Sequence, residues 1–422
     1  MTSELCRHRL GDVLAVVIDH RGRTPKKLGG DFVAAGVRVL SAKTVKGGRL
    51  QGLADCRFVT QDMYDAWMPN KLRLGDVLLT SEAPLGEAAY LQDDAHFCLG
   101  QRLFALRAND AKLDARFLFY LLLSPAVQQR LQARATGTTA QGIRQAELVQ
   151  VEVDLPPLPE QRRVASILGA LDDKIELNRR MNGTLESIAH AVFQSWFIDV
   201  DPVCIKALAS EVDLSGHWSI AQLADLVVVH RDSVAPDEIE NEIVDHYSIP
   251  AFDEGRMPSA EFGSTIKSNK FAVQTGSVLV SRLNPRIPRV WLPRLRGSRR
   301  GVCSTEFMVL SPRPPFTREY LYGLLRTDEF REELSCRVTG TSGSHQRVKP
   351  LDVMSIPVVS PPRRLIGAFS RLAAPLLEQV DLLREETRIL ADLRNALLPR
   401  LLDGSLSSSC SNLEEGCTCP NS

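Results

Sequence analysis

The sequence predicts an α+β protein in which one mixed α/β domain occurs twice, with two long helices that pack as an antiparallel coiled coil. An internal repeat is the first observation behind this prediction. An aromatic and apolar helical stretch is followed by Thr136-Gly137-Thr138 in the first half and by Thr339-Gly340-Thr341 in the second. A repeat of this kind indicates two copies of one domain that perform one task at two places.

A further pair of matching segments lies upstream in each half, where Leu74–Leu79 corresponds to Thr275–Val280. Short β-forming runs bounded by Gly, Pro and Asn turns predict strands and, after them, helices. The predicted strands are Asp76–Thr80, Arg102–Arg107, Gly276–Arg282 and Phe307–Ser311, and the helices lie near Ala115–Ser124 and Arg318–Arg326. This order favours curved antiparallel sheets over an alternation of parallel strands and helices.

Heptad spacing over more than four repeats predicts the first long helix. The positions of its stripe are Val164, Leu168, Leu171, Ile175, Asn178, Asn182, Leu185, Ala189, Val192 and Trp196. The two asparagines are polar interruptions that fix register at a cost in stability. A helix of ~36 residues would be ~54 Å long, which is longer than a small domain is wide, so we expect a partner helix. The alternative is an amphipathic helix that lies on its own domain.

The second long helix follows a second Pro-rich step, Pro361-Pro362. Its stripe consists of Leu365, Phe369, Leu372, Leu376, Val380, Leu383, Leu390, Leu393, Leu397 and Leu401. We expect Pro375 and Pro399 to kink or break this helix and Gly404 to end it. The predicted division of the chain is therefore a first domain at 1–155, a helix at 156–200, a second domain at 214–358, a helix at 361–404, and a disordered tail at 405–422.

Composition excludes several classes of protein. The chain has 422 residues, 44% of them hydrophobic, and a formal net charge of zero, as expected for an ordinary globular protein. No apolar run approaches the ~20 residues of a membrane span. The nine cysteines form no CxxC pair, so we expect reduced thiols and a cytoplasmic location. Metal binding by Cys417 and Cys419 is the alternative for the tail.

Positive charge is concentrated in stretches that predict DNA binding. Seven arginines and no acid lie between Ser277 and Thr305. The candidate DNA-binding residues are Arg21, Arg23, Thr24, Lys26, Lys27, Lys43 and Lys46 in the first half, and Arg282, Arg286, Arg289, Arg294, Arg296, Arg299, Arg300, His345, Gln346, Arg347 and Lys349 in the second. Such side chains neutralise phosphates, and arginine also binds guanine edges. A solvated basic surface is the alternative.

The sequence favours a protein without catalytic activity. Asn284-Pro285-Arg286-Ile287 resembles the Asn-Pro-Pro-aromatic motif of adenine methyltransferases, but it lacks the second proline and the aromatic residue, so we interpret it as a turn. No GxxxxGK[ST] loop is present. Two rival functions are a scaffold whose domains bind proteins, which would not require so many arginines without an acid, and a metal-dependent nuclease.

Several segments resemble a known family. The stretch Leu155–Asn182 (LPPLPEQRRVASILGALDDKIELNRRMN), continuing into Ala191–Phe197, resembles the central conserved region of specificity subunits of type I restriction–modification systems. Leu393–Gly404 resembles their distal conserved region, and Arg21–Lys26 and Leu74–Thr80 resemble segments of their target-recognition domains. Two features depart from the pattern. Gly183 lies inside the first helix, and Arg363-Arg364 stands where the first Pro-rich step has Glu160-Gln161.

The resemblance implies a non-catalytic subunit that recognises DNA. Each domain would read one half of a split, asymmetric double-stranded site, and the coiled coil would set the spacing and bind two methyltransferase subunits. Those partners would methylate adenine with S-adenosylmethionine, and restriction subunits would use ATP and Mg²⁺, so this chain itself would hold no cofactor. We expect Phe193, Trp196 and Phe197 to anchor a methyltransferase subunit, or alternatively to close the chain's own coiled coil.

Overall fold

The computed structural model describes residues 5–92, 96–137, 141–201, 217–295, 297–339 and 346–405. It divides into two compact units, Met1–Lys174 with Leu390–Ser422, and Ile175–Ile389. Each unit contains one copy of the repeated domain and a part of each long helix. The units are defined by packing and not by position along the chain, so the predicted five-part division stays a prediction. Residues 406–422, most of the predicted disordered tail, lie outside the described residues.

The first unit is a mixture of short strands and helices. Its strands are Cys6–Arg9, Leu14–Asp19, Val37–Leu40, Val45–Lys46, Arg49–Leu50, Arg57–Val59, Val77–Thr80, Ala88–Tyr90, Phe97–Leu99, Leu103–Ala108 and Glu152–Leu155. Its α-helices are Leu10–Val13, Gln61–Trp67, Ala115–Leu123, Pro125–Ala133, Gln145–Leu148 and the beginning of the first long helix, Leu158–Phe193; 3₁₀ turns span Pro25–Leu28, Ala42–Thr44 and Leu53–Asp55.

A four-stranded antiparallel sheet forms the centre of the first unit, with the strand order Leu14–Asp19, Leu103–Ala108, Val77–Thr80, Ala88–Tyr90. Val77–Thr80 is buried along its whole length, because apolar clusters cover both faces of the sheet. A continuous apolar run is the expected sequence for such a strand. A smaller sheet contains the parallel pair Val37–Leu40 and Phe97–Leu99, an exception to the predicted antiparallel pairing.

The second unit repeats this plan. Its strands are Ser219–Gln222, Val227–His230, Ser233–Val234, Ile243–Tyr247, Ser259–Phe262, Lys270–Ala272, Val278–Ser281, Val290–Trp291, Gly301–Cys303, Phe307–Pro312 and Pro357–Ser360. Its helices are Leu223–Leu226, Ile249–Gly255, Arg318–Leu324, Asp328–Cys336, Pro350–Met354 and most of the second long helix, Arg363–Leu402; 3₁₀ turns span Pro236–Ile239 and Gly263–Thr265, and a π-helical turn, Gln194–Ile198, follows the first long helix. The predicted α+β class and repeat are confirmed.

The strand order of the central sheet is the same in both units. In the second unit it is Val227–His230, Phe307–Pro312, Val278–Ser281, Val290–Trp291, again antiparallel. The smaller sheet again contains one parallel pair, Ile243–Tyr247 with Gly301–Cys303. Because strand order and pairing agree, residues of the two copies can be matched position by position.

The two long helices pack in opposite directions, as predicted. In the first unit, Leu168 near the start of the first long helix shares a core with Leu401 near the end of the second. In the second unit, Phe193 at the end of the first long helix shares a core with Phe369 near the start of the second. No helix in the described part of the chain is both long enough and apolar enough to cross a membrane.

The second long helix is continuous, so the expected kinks do not break it. Pro375 and Pro399 both face solvent. A proline removes one backbone hydrogen bond, and the carbonyl freed on an exposed face can be hydrated. Gly404 follows the end of the helix with φ 75°, the left-handed conformation that the predicted stop requires.

Gln161 explains why the first Pro-rich step has its particular sequence. Its side chain is buried; Oε1 accepts a hydrogen bond from the Asp114 amide at 3.0 Å, and Nε2 donates to the carbonyls of Lys112 and Pro156 at 3.1 and 2.9 Å. The start of the long helix is thereby fixed to the domain that precedes it. When the two copies are aligned on Pro156-Pro157 and Pro361-Pro362, Ile366 occupies the position of Gln161 and is buried in the apolar core, so Arg363-Arg364 does not take the place of Glu160-Gln161.

Acidic residues of the first long helix bind groups from the domain and from the second long helix within the first unit. Asp172 accepts a hydrogen bond from Tyr120 Oη at 2.6 Å and pairs with Arg394 at 2.7 Å. Burial, together with the Asp172 charge, raises the pKa of Tyr120, so the phenol stays protonated and donates. The neighbouring Asp173 pairs with Arg116 at the start of helix Ala115–Leu123.

Glu186 has the same role in the second unit. Its carboxylate contacts Arg256 at 2.8 Å, Arg326 at 3.3 Å and Arg384, which lies on the second long helix. Burial alone would raise the pKa of Glu186, but the charges of the three arginines outweigh it and lower the pKa. The carboxylate therefore stays ionised well below neutral pH.

We predict that Glu186→Gln destabilises the protein by about 1 to 3 kcal/mol at pH 7, because removing the charge leaves three partly buried arginines without their carboxylate partner. Since the folded-state pKa of Glu186 is lowered, its contribution is complete above the unfolded value of ~4.3 and is lost as the pH falls through the folded value. The difference between wild type and variant should therefore shrink on acidification. Urea unfolding across a pH series measures this.

The matched control is Glu333→Gln, which removes an exposed pair with Arg337 on helix Asp328–Cys336 and should change stability by less than about 1 kcal/mol. Equal losses for the two variants at pH 7 would contradict the role given to Glu186.

Candidate nucleic-acid interface

Loops from four parts of the chain meet at one place in the first unit. The Ile143 amide donates to the Ser81 carbonyl at 2.9 Å, and Arg21 Nη1 donates to the Ile143 carbonyl at 2.8 Å. Gln101 Nε2 donates to the Arg23 carbonyl at 3.0 Å. We call this group of residues the first loop cluster: 20–24, 81–87, 100–102 and 141–144.

A basic hairpin lies beside the first loop cluster. It joins Val45–Lys46 to Arg49–Leu50 through Gly47 and Gly48, whose φ values are 59° and 82°. Two positive φ angles in a two-residue turn favour glycine at both positions. The Gly47 amide donates to Glu87 Oε2 at 2.9 Å, which fixes the hairpin to the cluster.

Three of the predicted DNA-binding residues of the first half also have structural partners. Arg21 pairs with Asp19 at 2.7 Å. Arg23 Nη1 donates to the Trp67 carbonyl at 2.7 Å. Thr24 accepts a hydrogen bond from the Lys27 amide and so caps the 3₁₀ turn that follows. These contacts hold the loop in shape, whatever else the side chains bind.

The four predicted lysines of the first half are different. Lys26, Lys27, Lys43 and Lys46 are exposed, and none forms an ion pair with an acid within the described ranges. An exposed ammonium without an acidic partner keeps its full charge for phosphate neutralisation. These lysines are therefore the strongest electrostatic candidates among the predicted residues of the first unit.

The second unit has an equivalent cluster. The Asn284 amide donates to the Gln346 carbonyl at 2.9 Å, the Val348 amide to the Arg282 carbonyl at 3.1 Å, and the Arg282 amide to the Glu306 carbonyl at 3.0 Å. We call this group of residues the second loop cluster: 281–290, 304–306 and 346–349. The Ile287 amide donates to the Asn284 carbonyl at 2.9 Å, so the Asn-Pro-Arg-Ile segment is a turn, as interpreted from the sequence.

Most arginines of the run in the second half have acidic partners, which the sequence of the run does not suggest. Acids from other segments pair with Arg282 (Glu306, 3.7 Å), Arg289 (Asp253, 2.7 Å), Arg294 (Glu378, 2.6 Å), Arg299 (Asp245, 3.1 Å) and Arg300 (Glu238, 3.7 Å). The run lacks acids along the chain, but folding brings them to it. This corrects the argument that the stretch forms a strongly positive face. Arg296 and His345 lie outside the described residues.

Arg289 is the clearest correction. Its side chain is only 8% exposed, and its Nε and Nη2 bind both carboxylate oxygens of Asp253 at 2.7 and 2.8 Å. A guanidinium this buried and doubly bound stabilises the domain and does not present itself to DNA. Arg286 is the opposite case, since it is exposed and has no acidic partner in the described part of the chain.

Sequence reasoning included Lys349 but missed Arg144. The two are matched by the repeat, in which Gln141-Gly142-Ile143-Arg144 corresponds to Gln346-Arg347-Val348-Lys349. Ile143 and Val348 are buried, whereas Arg144 and Lys349 are exposed and lack an acidic partner among the described residues. Extending the alignment of the two Thr-Gly-Thr segments by a few residues would have found Arg144.

Phe193, Trp196 and Phe197 do not form an exposed anchor for a partner. All three are 0–1% exposed in the core of the second unit. The Phe193 ring packs 5.4 Å from Phe369, and so close to Gly323 that a Cβ there would lie 2.2 Å from it. The alternative, that these aromatics close the chain's own core, is what the structure shows. Heptad spacing alone could not separate the two.

Comparison with known proteins connects this geometry to a function. Residues 7–187 match the family described as Type I restriction modification DNA specificity domain. The type I restriction enzyme MjaIX specificity subunit of Methanocaldococcus jannaschii is 24% identical over 352 residues, which are 79% of this chain and 78% of that protein. The HindI specificity subunit of Haemophilus influenzae is 32% identical over 174 residues, which are 40% of this chain and 37% of that protein.

The fold has a solved counterpart as well. The crystal structure of a type I restriction–modification system S subunit from M. genitalium matches with a TM-score of 0.62 at 16% identity, covering 94% of this chain and 96% of that one. The matching family and the relatives named above are DNA specificity components, and the solved structure shares the fold of this chain. Residues 7–187 match a type I DNA specificity domain, and the chain is similar to a type I specificity subunit over most of its length, which confirms the resemblance found in its sequence.

We predict that replacing Lys26, Lys27, Lys43 and Lys46 with Ala weakens binding to random duplex DNA and flattens its salt dependence. The slope of log K against log salt should fall by about 0.9 for each lysine that neutralises a phosphate. Fluorescence anisotropy at several salt concentrations measures the slope. Lys112→Ala is the control, since that lysine donates to the Asp12 carbonyl outside the cluster. An unchanged slope in the fourfold variant would place the DNA surface elsewhere.

Proposed function

We propose that this chain is the DNA-reading, non-catalytic subunit of a type I restriction–modification complex, and that each loop cluster reads one half of a split, asymmetric site. The observation that carries the proposal is the repetition of one loop cluster on one scaffold. Both copies join the loop after the third strand of the central sheet to the segment after Thr-Gly-Thr by the same backbone hydrogen bond, Ile143 to Ser81 and Val348 to Arg282. Two loop clusters on one chain could each bind one half of a DNA site that has two parts.

The chemistry of such a complex would be carried out by partner subunits. Two methyltransferase subunits would supply S-adenosylmethionine and methylate adenine in the recognised site. Restriction subunits would supply ATP-driven movement and Mg²⁺-dependent cleavage. This chain would contribute the DNA sequence preference and the surface on which the methyltransferases assemble, in the cytoplasm.

The face of the first long helix that points to solvent supports such a surface. Between residues 181 and 191, the exposed residues are Met181, Gly183, Thr184, Ser187, Ile188 and Ala191, and none of them is charged. Ile188 is 44% exposed and Met181 38%. Solvent-facing helix surfaces normally carry charged residues, whereas the core of a protein interface is depleted of them. We therefore place methyltransferase docking here rather than at the buried aromatics.

Gly183 gives this face a second distinguishing feature. Glycine in a helix interior costs about 1 kcal/mol relative to alanine. A Cβ added at Gly183 would meet no atom of the chain within 4 Å, so packing inside the subunit does not require the glycine. A partner helix that approaches the backbone closely at this point would require it.

We predict that Gly183→Ala stabilises the isolated chain by up to about 1 kcal/mol, whereas Gly183→Leu and Ile188→Glu leave folding intact and prevent co-purification of the methyltransferase subunit. Thermal unfolding of the chain and pull-down of the complex measure the two effects. Arg331→Ala, on the exposed side of helix Asp328–Cys336, is the control for assembly. Full assembly of both Gly183→Leu and Ile188→Glu would remove this face from the interface.

The proposed reading function is tested by exchanging one domain. Replacing residues 1–155 with the matching domain of another family member should change one half of the methylated motif and leave the other half as it was. The motif is determined by methylation-sensitive sequencing of DNA from cells that contain the complex. A change in both halves would contradict independent reading by the two domains.

A further inference from the structure

In each loop cluster, one arginine has a side chain that is more than 40% exposed and pairs with a glutamate. In the first cluster Arg102 is 57% exposed, and its Nε lies 2.6 Å from Glu82 Oε1. In the second, Arg347 is 42% exposed, and its Nε and Nη2 lie 3.0 and 2.9 Å from Glu306 Oε1. Both pairs lie where the loop after the third sheet strand meets the segment after Thr-Gly-Thr.

The arginine and the glutamate of each pair come from different positions of the repeat in the two copies. Arg102 directly precedes strand Leu103–Ala108, and Glu306 directly precedes the matching strand Phe307–Pro312. The same position therefore carries a cation in one copy and an anion in the other. Arg347, in turn, matches Gly142, which has no side chain at all. The guanidinium thus projects from a different strand or loop in each copy, although the scaffold is the same.

The residues around these pairs are kept between the copies. Gln141 matches Gln346, the buried Ile143 matches Val348, and the exposed Arg144 matches Lys349. Groups that are alike in both copies cannot distinguish two different half-sites. They suit contacts with the DNA backbone, which position a protein without reading sequence. Discrimination between half-sites must come from the positions that differ.

Residues other than glycine with positive φ angles also concentrate in the loop clusters. Arg102 has φ 67°, and Ala83 and Asn284, at matching positions of the two copies, have φ 51° and 52°. These are three of the five non-glycine residues with positive φ in the described chain, and all three lie in the loop clusters. Left-handed backbone costs free energy in residues other than glycine, and it concentrates at functional sites because the surrounding structure must hold it.

We propose that Arg102 in the first unit and Arg347 in the second determine base specificity, each by binding the O6 and N7 edge of a guanine in its own half-site. This inference rests on the proposed DNA-reading function and names the residues that perform it. Glu82 and Glu306 orient the two guanidiniums before DNA arrives, so less side-chain freedom is lost on binding. Arginine is the side chain whose fork matches guanine in the major groove. Arg144 and Lys349 bind phosphates beside them.

The experiment is selection of binding sites from a random duplex library by the full-length chain, followed by sequencing of the selected DNA. Wild type is compared with Arg102→Ala, Arg347→Ala and Arg144→Ala. Arg102→Ala should relax one guanine position in one half of the motif, reducing the preference for guanine there roughly tenfold or more. Arg347→Ala should do the same in the other half only. Arg144→Ala should weaken binding to all sequences and leave the motif unchanged.

Two further variants keep the test independent of folding. Arg102→Lys preserves the charge but not the planar fork, so it should retain affinity while losing the preference for guanine. Arg331→Ala removes an exposed, paired arginine outside the loop clusters and should change neither motif nor affinity. Thermal unfolding confirms that each variant is folded.

The outcomes distinguish failure of the proposed DNA-reading function from failure of the roles given to Arg102 and Arg347. If wild type selects no motif, the DNA-reading function itself is overturned. If wild type selects a motif that Arg102→Lys and Arg347→Ala leave intact, the reading function stands, and both arginines are reduced to members of surface ion pairs. If either variant changes both half-sites, the assignment of one reader to each unit is overturned.

Discussion

The structure depends on two partly buried carboxylates of the first long helix, Asp172 and Glu186. Asp172 joins Tyr120 of the first domain to Arg394 of the second long helix, and Glu186 joins three arginines of the second unit, one of them also on that helix. A buried charge is tolerated only when it is paired and hydrogen-bonded. Each acid therefore holds one domain and the two long helices together within its unit. If any of its partners moved away, a charge would lose its pairing.

This rigidity separates the scaffold, which holds the loops in place, from the loop side chains, which can vary. Sheets and helices hold the loop clusters in a fixed shape, and the same backbone hydrogen bonds recur in both units. Loops that are closed by the backbone can change side chains without changing the fold, as the exchange of Arg102 for Glu306 illustrates. Under the proposed function, substitution at a few exposed positions would change the DNA preference without changing the fold.

Charge pairing also determines which cations of this chain, which has no net charge, would be available for the proposed DNA binding. Most arginines of the second half are already bound by acids, so they shape the loops more than they attract phosphates. Among the described residues of the loop clusters and their surroundings, cations without an acidic partner are the four lysines beside the first cluster and Arg144, Arg286 and Lys349. If the chain binds DNA as proposed, affinity from such a small set of charges would fall steeply with salt, and selective base contacts would determine the preferred site.

The sequence by itself determined the repeat, the fold class, the two long helices and the resemblance to type I specificity subunits, because hydrophobic periodicity and long motifs are local properties of the chain. It could not show that acids such as Asp253 and Glu378 neutralise the arginine run, since those residues are distant in sequence and adjacent only after folding. Nor could it place Phe193 in the core. Heptad spacing identifies the apolar face of a helix, but it does not show which part of the chain or which partner packs against that face. The tertiary structure decided which charges remain free and which apolar face remains open.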